Sequence, residues 1–204
     1  MSRFSHARFL ISAADAQQFP PDVGTEVAFV GRSNAGKSSA INAITHRHGL
    51  ARISKTPGRT QLLNFFELAP GERLVDLPGY GYANVPAAQR RTWPPLIEAL
   101  RTRDALQGLF VIVDARRGLK PGDEELLGWT TPGQRIHVLL SKADKLNRAE
   151  GAGALREAAG ALLGRASVQL FSALKGTGVR EAEDTLEAWL TASPGGNKKP
   201  RRPR

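Results

Sequence analysis

No cysteine occurs among the 204 residues. Disulfides and thiolate metal sites are therefore excluded, and the composition fits a reducing compartment without requiring one. Long apolar runs are also missing. Nothing approaches the ~20 consecutive residues of a membrane-spanning helix, and the patch Phe9-Leu10-Ile11 is too short for the core of a signal peptide. The expectation is a soluble cytoplasmic protein. Acid is scarce at the C-terminal end, where nothing beyond Glu187 is acidic while Lys198, Lys199, Arg201, Arg202 and Arg204 follow. That tail carries half of the formal net charge of +10. Such a balance favours a polyanionic partner, although a short basic end also serves simply as a solvated surface. No internal repeat is visible, and 41% hydrophobic residues suffice for one ordinary domain with a real core.

The order of elements follows from periodicity and punctuation. Residues 1–25 read as an irregular or partly helical lead-in ending at Pro20-Pro21-Asp22, packed on the domain that follows. Glu26–Val30 is a short apolar strand, and the helical spacing of Ala40, Ile41, Ala43 and Ile44 predicts a helix from Lys37 to about His46. The basic, polar stretch 50–61 with Pro57-Gly58 reads as a loop. Leu62–Leu68 and Arg73–Asp76 are strands joined by the turn Pro70-Gly71, hence antiparallel. Strands at Leu109–Asp114, Ile136–Leu140 and Val168–Phe171 then alternate with helices at 86–105 (broken near Pro94-Pro95), Asp123–Trp129, Arg148–Leu163 and Val179–Leu190. This pattern predicts an α/β, three-layer fold: a mostly parallel six-stranded sheet with one antiparallel strand and helices on both faces. The main domain is expected over 26–192, and the Pro/Gly/Lys/Arg-rich 193–204 reads as a disordered basic tail.

Gly31-Arg32-Ser33-Asn34-Ala35-Gly36-Lys37-Ser38, with Ser39 next, matches the phosphate-loop pattern in the context its chemistry needs, directly after a strand and opening a helix. Glycine lets backbone N–H groups close around phosphate oxygens, and the helix N-terminus adds partial positive charge. Lys37 would reach the β- and γ-phosphates, and Ser38 would offer its hydroxyl oxygen to Mg2+. Asp76-Leu77-Pro78-Gly79 ends an apolar strand in a carboxylate. Asp76 would hold Mg2+ through a water, and the Gly79 N–H would sense a terminal phosphate. Asp114 ends a strand in the same way but lacks the following glycine, so it reads as a structural loop residue.

Ser141-Lys142-Ala143-Asp144 follows an apolar strand and resembles the [N/T]-K-x-D element that selects guanine. A carboxylate at Asp144 accepts from both the ring N–H and the exocyclic amine of guanine, a donor pair that adenine lacks. The Lys142 stem would lie along the purine face. Phe171-Ser172-Ala173 ends the next strand and resembles the loop that meets the guanine carbonyl. Within 51–61, Thr56 and Thr60 are both candidates to close over Mg2+ and the γ-phosphate, and spacing does not choose. Asn34 reads either as a K+ ligand or as a turn-forming Asn. The water-orienting Gln that small GTPases place after D-x-x-G is absent: Tyr80-Gly81-Tyr82 stands there. Slow intrinsic hydrolysis, accelerated by a partner or K+, is the expectation.

These residues resemble the EngB (YihA/YsxC) family of bacterial P-loop GTPases, over about residues 5–190. The likeness rests on 26–39, on Ser54-Lys55-Thr56-Pro57-Gly58-Arg59-Thr60-Gln61, on Asn64-Phe65-Phe66, and on Val75 through Ala83. It implies Thr60 as the Mg2+-linked switch threonine, with nucleotide contacts along Gly58, Arg59, Thr60, Gln61 and Leu62. Lys37, Thr60 and Gly79 would act on the reacting phosphate. The ligands implied are GTP or GDP and Mg2+, and the role is assembly of the large ribosomal subunit, associated with cell division and septation. A monomer that meets ribosomal RNA rather than DNA is expected, with Arg52, Arg59, Arg90, Arg91, Arg101, Arg116 and Arg117 as rim cations. Trp93, Trp129 and Trp189 read as helix-packing residues. Ser141 departs from the Thr usual in the family. The rival readings are a P-loop ATPase or small-molecule kinase, disfavoured by Asp144, and a nucleotide-gated RNA-binding module.

Overall fold

The computed structural model describes residues 2–52, 62–79, 95–128, 130, 131 and 133–192. Its strands are β1 (Arg8–Ala13), β2 (Thr25–Gly31), β3 (Leu63–Ala69), β4 (Glu72–Asp76), β5 (Leu106–Asp114), β6 (Arg135–Ser141) and β7 (Ser167–Leu170). The helices are α1 (Lys37–Ile44), α2 (residues 95–101), α3 (Pro121–Leu127), α4 (Arg148–Leu162) and α5 (Val179–Thr191). The strands form a single seven-stranded sheet in the order β1-β3-β4-β2-β5-β6-β7. β3 runs antiparallel to both its neighbours, and the pairs from β4 through to β7 are parallel.

One expectation is corrected here. The sheet has seven strands rather than six, because the lead-in contains β1 as well as short 3-10 turns at Arg3–His6 and Ala16–Gln18. β1 shows no alternation: Arg8 through Leu10 are exposed, and its register on β3 shifts between Phe9 and Ile11. Its partner residues lie at least 50 positions away in the chain, so no local signal marks the pairing.

Period-2 alternation divides the core between the two faces of the sheet. Val27 and Phe29 of β2, with Phe110 and Ile112 of β5, meet Ile41 and Ile44 of α1 and Leu186, Trp189 and Leu190 of α5. Ala28 and Val30, with Leu109, Val111 and Val113, meet Leu96 and Leu100 of α2, Leu127 of α3, and Ala158 and Leu162 of α4. Phe110 stacks on Phe29 at 4.9 Å between centroids and lies 5.1 Å from Trp189, so Trp189 is a packing residue as expected. Trp93 and Trp129 lie outside the described residues. After β2 the chain crosses to one side of that strand, and after β4 it crosses to the other. Ligands of open α/β sheets bind at such a divergence, outside the carboxyl ends of the strands.

The opposite end of the sheet is closed by charge. Glu26, fully buried, accepts from Arg73 Nε at 2.9 Å, Arg103 Nε at 2.6 Å and Arg103 Nη2 at 2.8 Å. The two guanidiniums also donate to the carbonyls of Pro20, Pro21 and Val23. Asp22 accepts from the N–H groups of Asp104 and Ala105 at 3.0 and 2.9 Å.

Candidate functional site

At the carboxyl end, β2 runs out at Gly31 and the chain turns through Asn34 (φ 61°) and Gly36 (φ 103°) into α1. At φ 103° a side chain is strained, which is why the N-cap position of α1 is glycine. No side chain caps that helix end, so its first-turn N–H groups face the loop. Gly31 is required for a second reason. A Cβ there would sit 2.6 Å from the Ile112 carbonyl oxygen, which is how closely the loop follows β5.

The D-x-x-G segment lies against this loop. Asp76 ends β4, and Leu77, itself buried, donates its N–H to the Phe29 carbonyl at 3.0 Å. A Cβ on Gly79 would come within 3.0 Å of Ser33 Cα and 3.2 Å of Ser33 N. Only glycine lets the two backbones approach this far. The Lys37 ammonium pairs with the Asp76 carboxylate, and both side chains are largely buried. Two segments separated by 39 residues are therefore joined at one point. Ser38 and Ser39 lie in the first turn of α1, and Leu62 immediately precedes β3. Gly58, Arg59, Thr60 and Gln61, with Thr56 and Tyr80, lie outside the described residues.

A third segment meets the first two. The Ser141 hydroxyl is close to the carbonyl oxygens of Ala35 and Val113, the latter at 3.0 Å. It ties the phosphate loop to the ends of β5 and β6. Lys142 adopts φ 58°, and its ammonium donates to the Asn34 carbonyl at 2.6 Å and to Asp114 Oδ2 at 3.0 Å. The Ala143 N–H donates to the Phe171 carbonyl at 3.1 Å, and the Phe171 N–H to Leu140 at 2.8 Å. The Ser172 hydroxyl donates to Asp144 Oδ1 at 2.7 Å. That bond, with lesser help from Lys145, holds the Asp144 carboxyl below the usual carboxylate range. Ser172 is itself fixed, donating its N–H to the Thr177 carbonyl at 2.9 Å and accepting from the Lys175 N–H at 3.2 Å; Ala173 opens the intervening turn. Asp144 is thus presented as a charged acceptor by its neighbour strand.

Asp114, read from sequence as a structural loop residue, contacts both its own turn and the end of β6. It ends β5, is buried, and accepts a two-pronged contact from Arg116 at 2.9 and 2.6 Å in addition to Lys142. These partners drive its carboxyl far below the usual range, Arg116 contributing most. The signal available in sequence was a carboxylate ending an apolar run. The Lys142 contact is not readable in sequence, because that residue is 28 positions away. Among the rim arginines, Arg116 is held by Asp114 and Arg101 by Glu98, while Arg117, with Arg32 of the phosphate loop, lines a cleft of about 110 Å³ beside Asn34 and Asp114. Arg59, Arg90 and Arg91 lie outside the described residues.

Comparison with known proteins gives one consistent result. Residues 26–142 match the family model described as 50S ribosome-binding GTPase. A GTP-binding protein EngB of Aromatoleum aromaticum is 53% identical over 195 residues, covering 93% of this chain and 90% of the relative. An EngB of Coxiella burnetii is 47% identical, covering 94% and 96%. Among solved structures, a GTP-binding protein engB superposes with a TM-score of 0.64 at 20% identity, covering 81% of this chain and 98% of that one. Era in complex with MgGDPNP and a segment of 16S ribosomal RNA superposes with a TM-score of 0.61 at 24% identity, covering 89% and 60%. These two likenesses carry the fold. The sequence relatives and the family model carry the family, and the chain belongs to the EngB GTP-binding proteins, a family of P-loop GTPases.

Proposed function

We propose that this GTPase cycles between GTP and GDP as a switch in assembly of the large ribosomal subunit, and that its site is built from the three segments just described. The carrying observation is the approach of Gly79 to Ser33, which places the D-x-x-G backbone against the phosphate loop with no intervening side chain. A group that grips the β-phosphate and one that senses the γ-phosphate then share one wall. Lys37 would neutralise phosphate charge, exchanging its carboxylate partner for phosphate oxygens. Asp144 would accept from guanine. Lys142, Ala143, Phe171, Ser172 and Ala173 would complete the base pocket.

The residues present fit Mg2+. The donor set is hard oxygen, with the Ser38 hydroxyl next in chain to Lys37, whose ammonium already reaches Asp76. Ser38, Asp76 through a water, and Thr60 would hold the ion, which supplies charge neutralisation on the phosphates. For Asn34, φ 61° supports the turn-forming role. The K+ role is supported by its side-chain amide, which has no hydrogen-bond partner among the described residues. Slow intrinsic turnover is part of the proposal, because Tyr80 has no amide with which to orient water. The ribosomal role is supported by the description of the matching family model. The cytoplasmic setting, the monomeric state and the link to cell division and septation rest on the family resemblance.

The test has two parts. Purified protein should bind GDP in preference to ADP, and GTP hydrolysis should be faster in KCl than in NaCl if Asn34 holds K+. Crosslinking to ribosomal particles should differ between a GTP analogue and GDP and map to large-subunit RNA. Equal crosslinking in both states would remove the switch.

A further inference from the structure

The mechanism outlined above leaves Asp114 and Arg116 without a task. Asp114 is a buried carboxylate at the end of β5, and it is charged, because three donors stabilise the anion: the Arg116 guanidinium, the Arg116 N–H at 3.1 Å and the Lys142 ammonium. A structural anion would need only its own loop. Arg116 and its N–H already supply that, closing the turn that follows β5. The contact to Lys142 is different in kind, since it reaches across to the end of β6.

The same ammonium also donates to the Asn34 carbonyl in the phosphate loop. Lys142 is therefore held at two points, one on the phosphate loop and one at the end of β5, and the hydrocarbon stem between backbone and ammonium has little freedom left. A free lysine side chain has ~2 kcal/mol of rotamer entropy. A stem that must lie flat on a purine loses most of it on binding, unless the side chain is already fixed. Lys142 Cα is fixed too, because its backbone is left-handed and lies between Ser141, bonded to Val113, and Ala143, bonded to Phe171.

We propose that Asp114 is a positioning residue for guanine-nucleotide binding: it pre-orders Lys142, and Arg116 holds the Asp114 carboxylate in the orientation that does so. This rests on the assignment of the base pocket to Lys142 and Asp144. It adds that β5, which supplies no base contact, sets affinity through its last residue. Arg116 holds this contact while its side chain stays 44% exposed.

The test is a double-mutant cycle read with a fluorescent GDP analogue, alongside the melting temperature of the nucleotide-free protein. Asp114→Asn keeps the shape and removes the charge. It should weaken GDP binding about tenfold, as expected for loss of one charge-assisted contact acting through an intermediary. Lys142→Met keeps the stem and removes the ammonium. In that background Asp114→Asn should produce no further loss. Additive losses, or unchanged GDP affinity in Asp114→Asn, would overturn the proposal. So would a melting temperature that falls while affinity per folded molecule stays at the wild-type value. If Asp114→Asn does not fold, Arg116→Met serves instead. It should weaken GDP about threefold, again only when Lys142 is present, and equal weakening in the Lys142→Met background would overturn the proposal. Wild-type protein that binds no GDP would break the base-pocket assignment first, and the two failures are thereby told apart.

Discussion

The two ends of the sheet both bury charge, and they do so on opposite terms. At the amino end Glu26 accepts three hydrogen bonds from two guanidiniums, whose Nη2 groups also donate to backbone carbonyls. Every partner belongs to the chain, and the charges of Glu26 and Asp22 offset those of Arg73 and Arg103. At the carboxyl end Lys37 has a carboxylate partner in Asp76, but the loop around it is built from glycines, an uncapped helix terminus and several cations. The Glu26 cluster at the amino end is satisfied within the chain. The carboxyl end is organised around exchangeable contacts and a surplus of positive charge, which suits an anionic ligand. A charge buried for structure is recognised by closed accounting within the fold, and one kept for function by partners that a ligand can replace.

Glu26→Leu should separate the ends most sharply. It strands two buried guanidiniums, and removing one partner of such a pair destabilises by about 3–5 kcal/mol. Chemical denaturation should show that loss, while GDP affinity of the folded fraction stays at the wild-type value. Lys37→Ala should do the reverse. GTP affinity should fall by about a hundredfold or more, in line with loss of a charge-assisted phosphate contact, and the denaturation midpoint should move far less than in Glu26→Leu. Gly79→Ala is a smaller change at the same end. Its methyl group must displace Ser33 backbone, so hydrolysis should slow about tenfold at a stability loss of about 1–3 kcal/mol, as for overpacking elsewhere. A variant that hydrolyses GTP at the wild-type rate would mean that the two loops need not touch.

The smallest effect lies between the ends. His137, buried between β6 and β7, sits 2.8 Å from Gln169 Oε1 and 2.6 Å from Ser167 Oγ, and burial lowers its pKa below 6.5. The folded state therefore binds its proton less readily than the unfolded chain. Stability is whole above the unfolded value near 6.5 and declines as pH falls from there toward the lower folded value. The slope from one such proton is at most about 1.4 kcal/mol per pH unit. Denaturation midpoints across pH 5–7 should show this slope in the wild type and a flatter profile in His137→Gln. Parallel profiles would assign the pH dependence elsewhere.

Much of the candidate site is legible in sequence because its parts are local. A strand, a glycine-bearing turn and a helix start follow one another from Glu26 to Ile44, and each part restricts residue type on its own. Asp76-Leu77-Pro78-Gly79 and Ser141-Lys142-Ala143-Asp144 are equally compact. β1 is not legible in sequence because its pairing is non-local and its exposed residues include the apolar Phe9, Leu10 and Ile11, so no polar alternation marks it. Asp114 reads in sequence as a strand-end carboxylate, and its contact with Lys142 is not visible there because the two residues are 28 positions apart.

By itself, the order of residues determined the α/β alternation, the backbone conformations that only glycine tolerates, and the three short segments suited to phosphate and guanine. These are properties of neighbours along the chain, where sterics and periodicity act. Tertiary structure alone decided that Gly79 abuts Ser33, that Ser141 ties Ala35 to Val113, and that Asp114 shares Lys142 with the phosphate loop. Those contacts join residues tens of positions apart, and they exist because parallel strands bring all their carboxyl ends to one edge of the sheet.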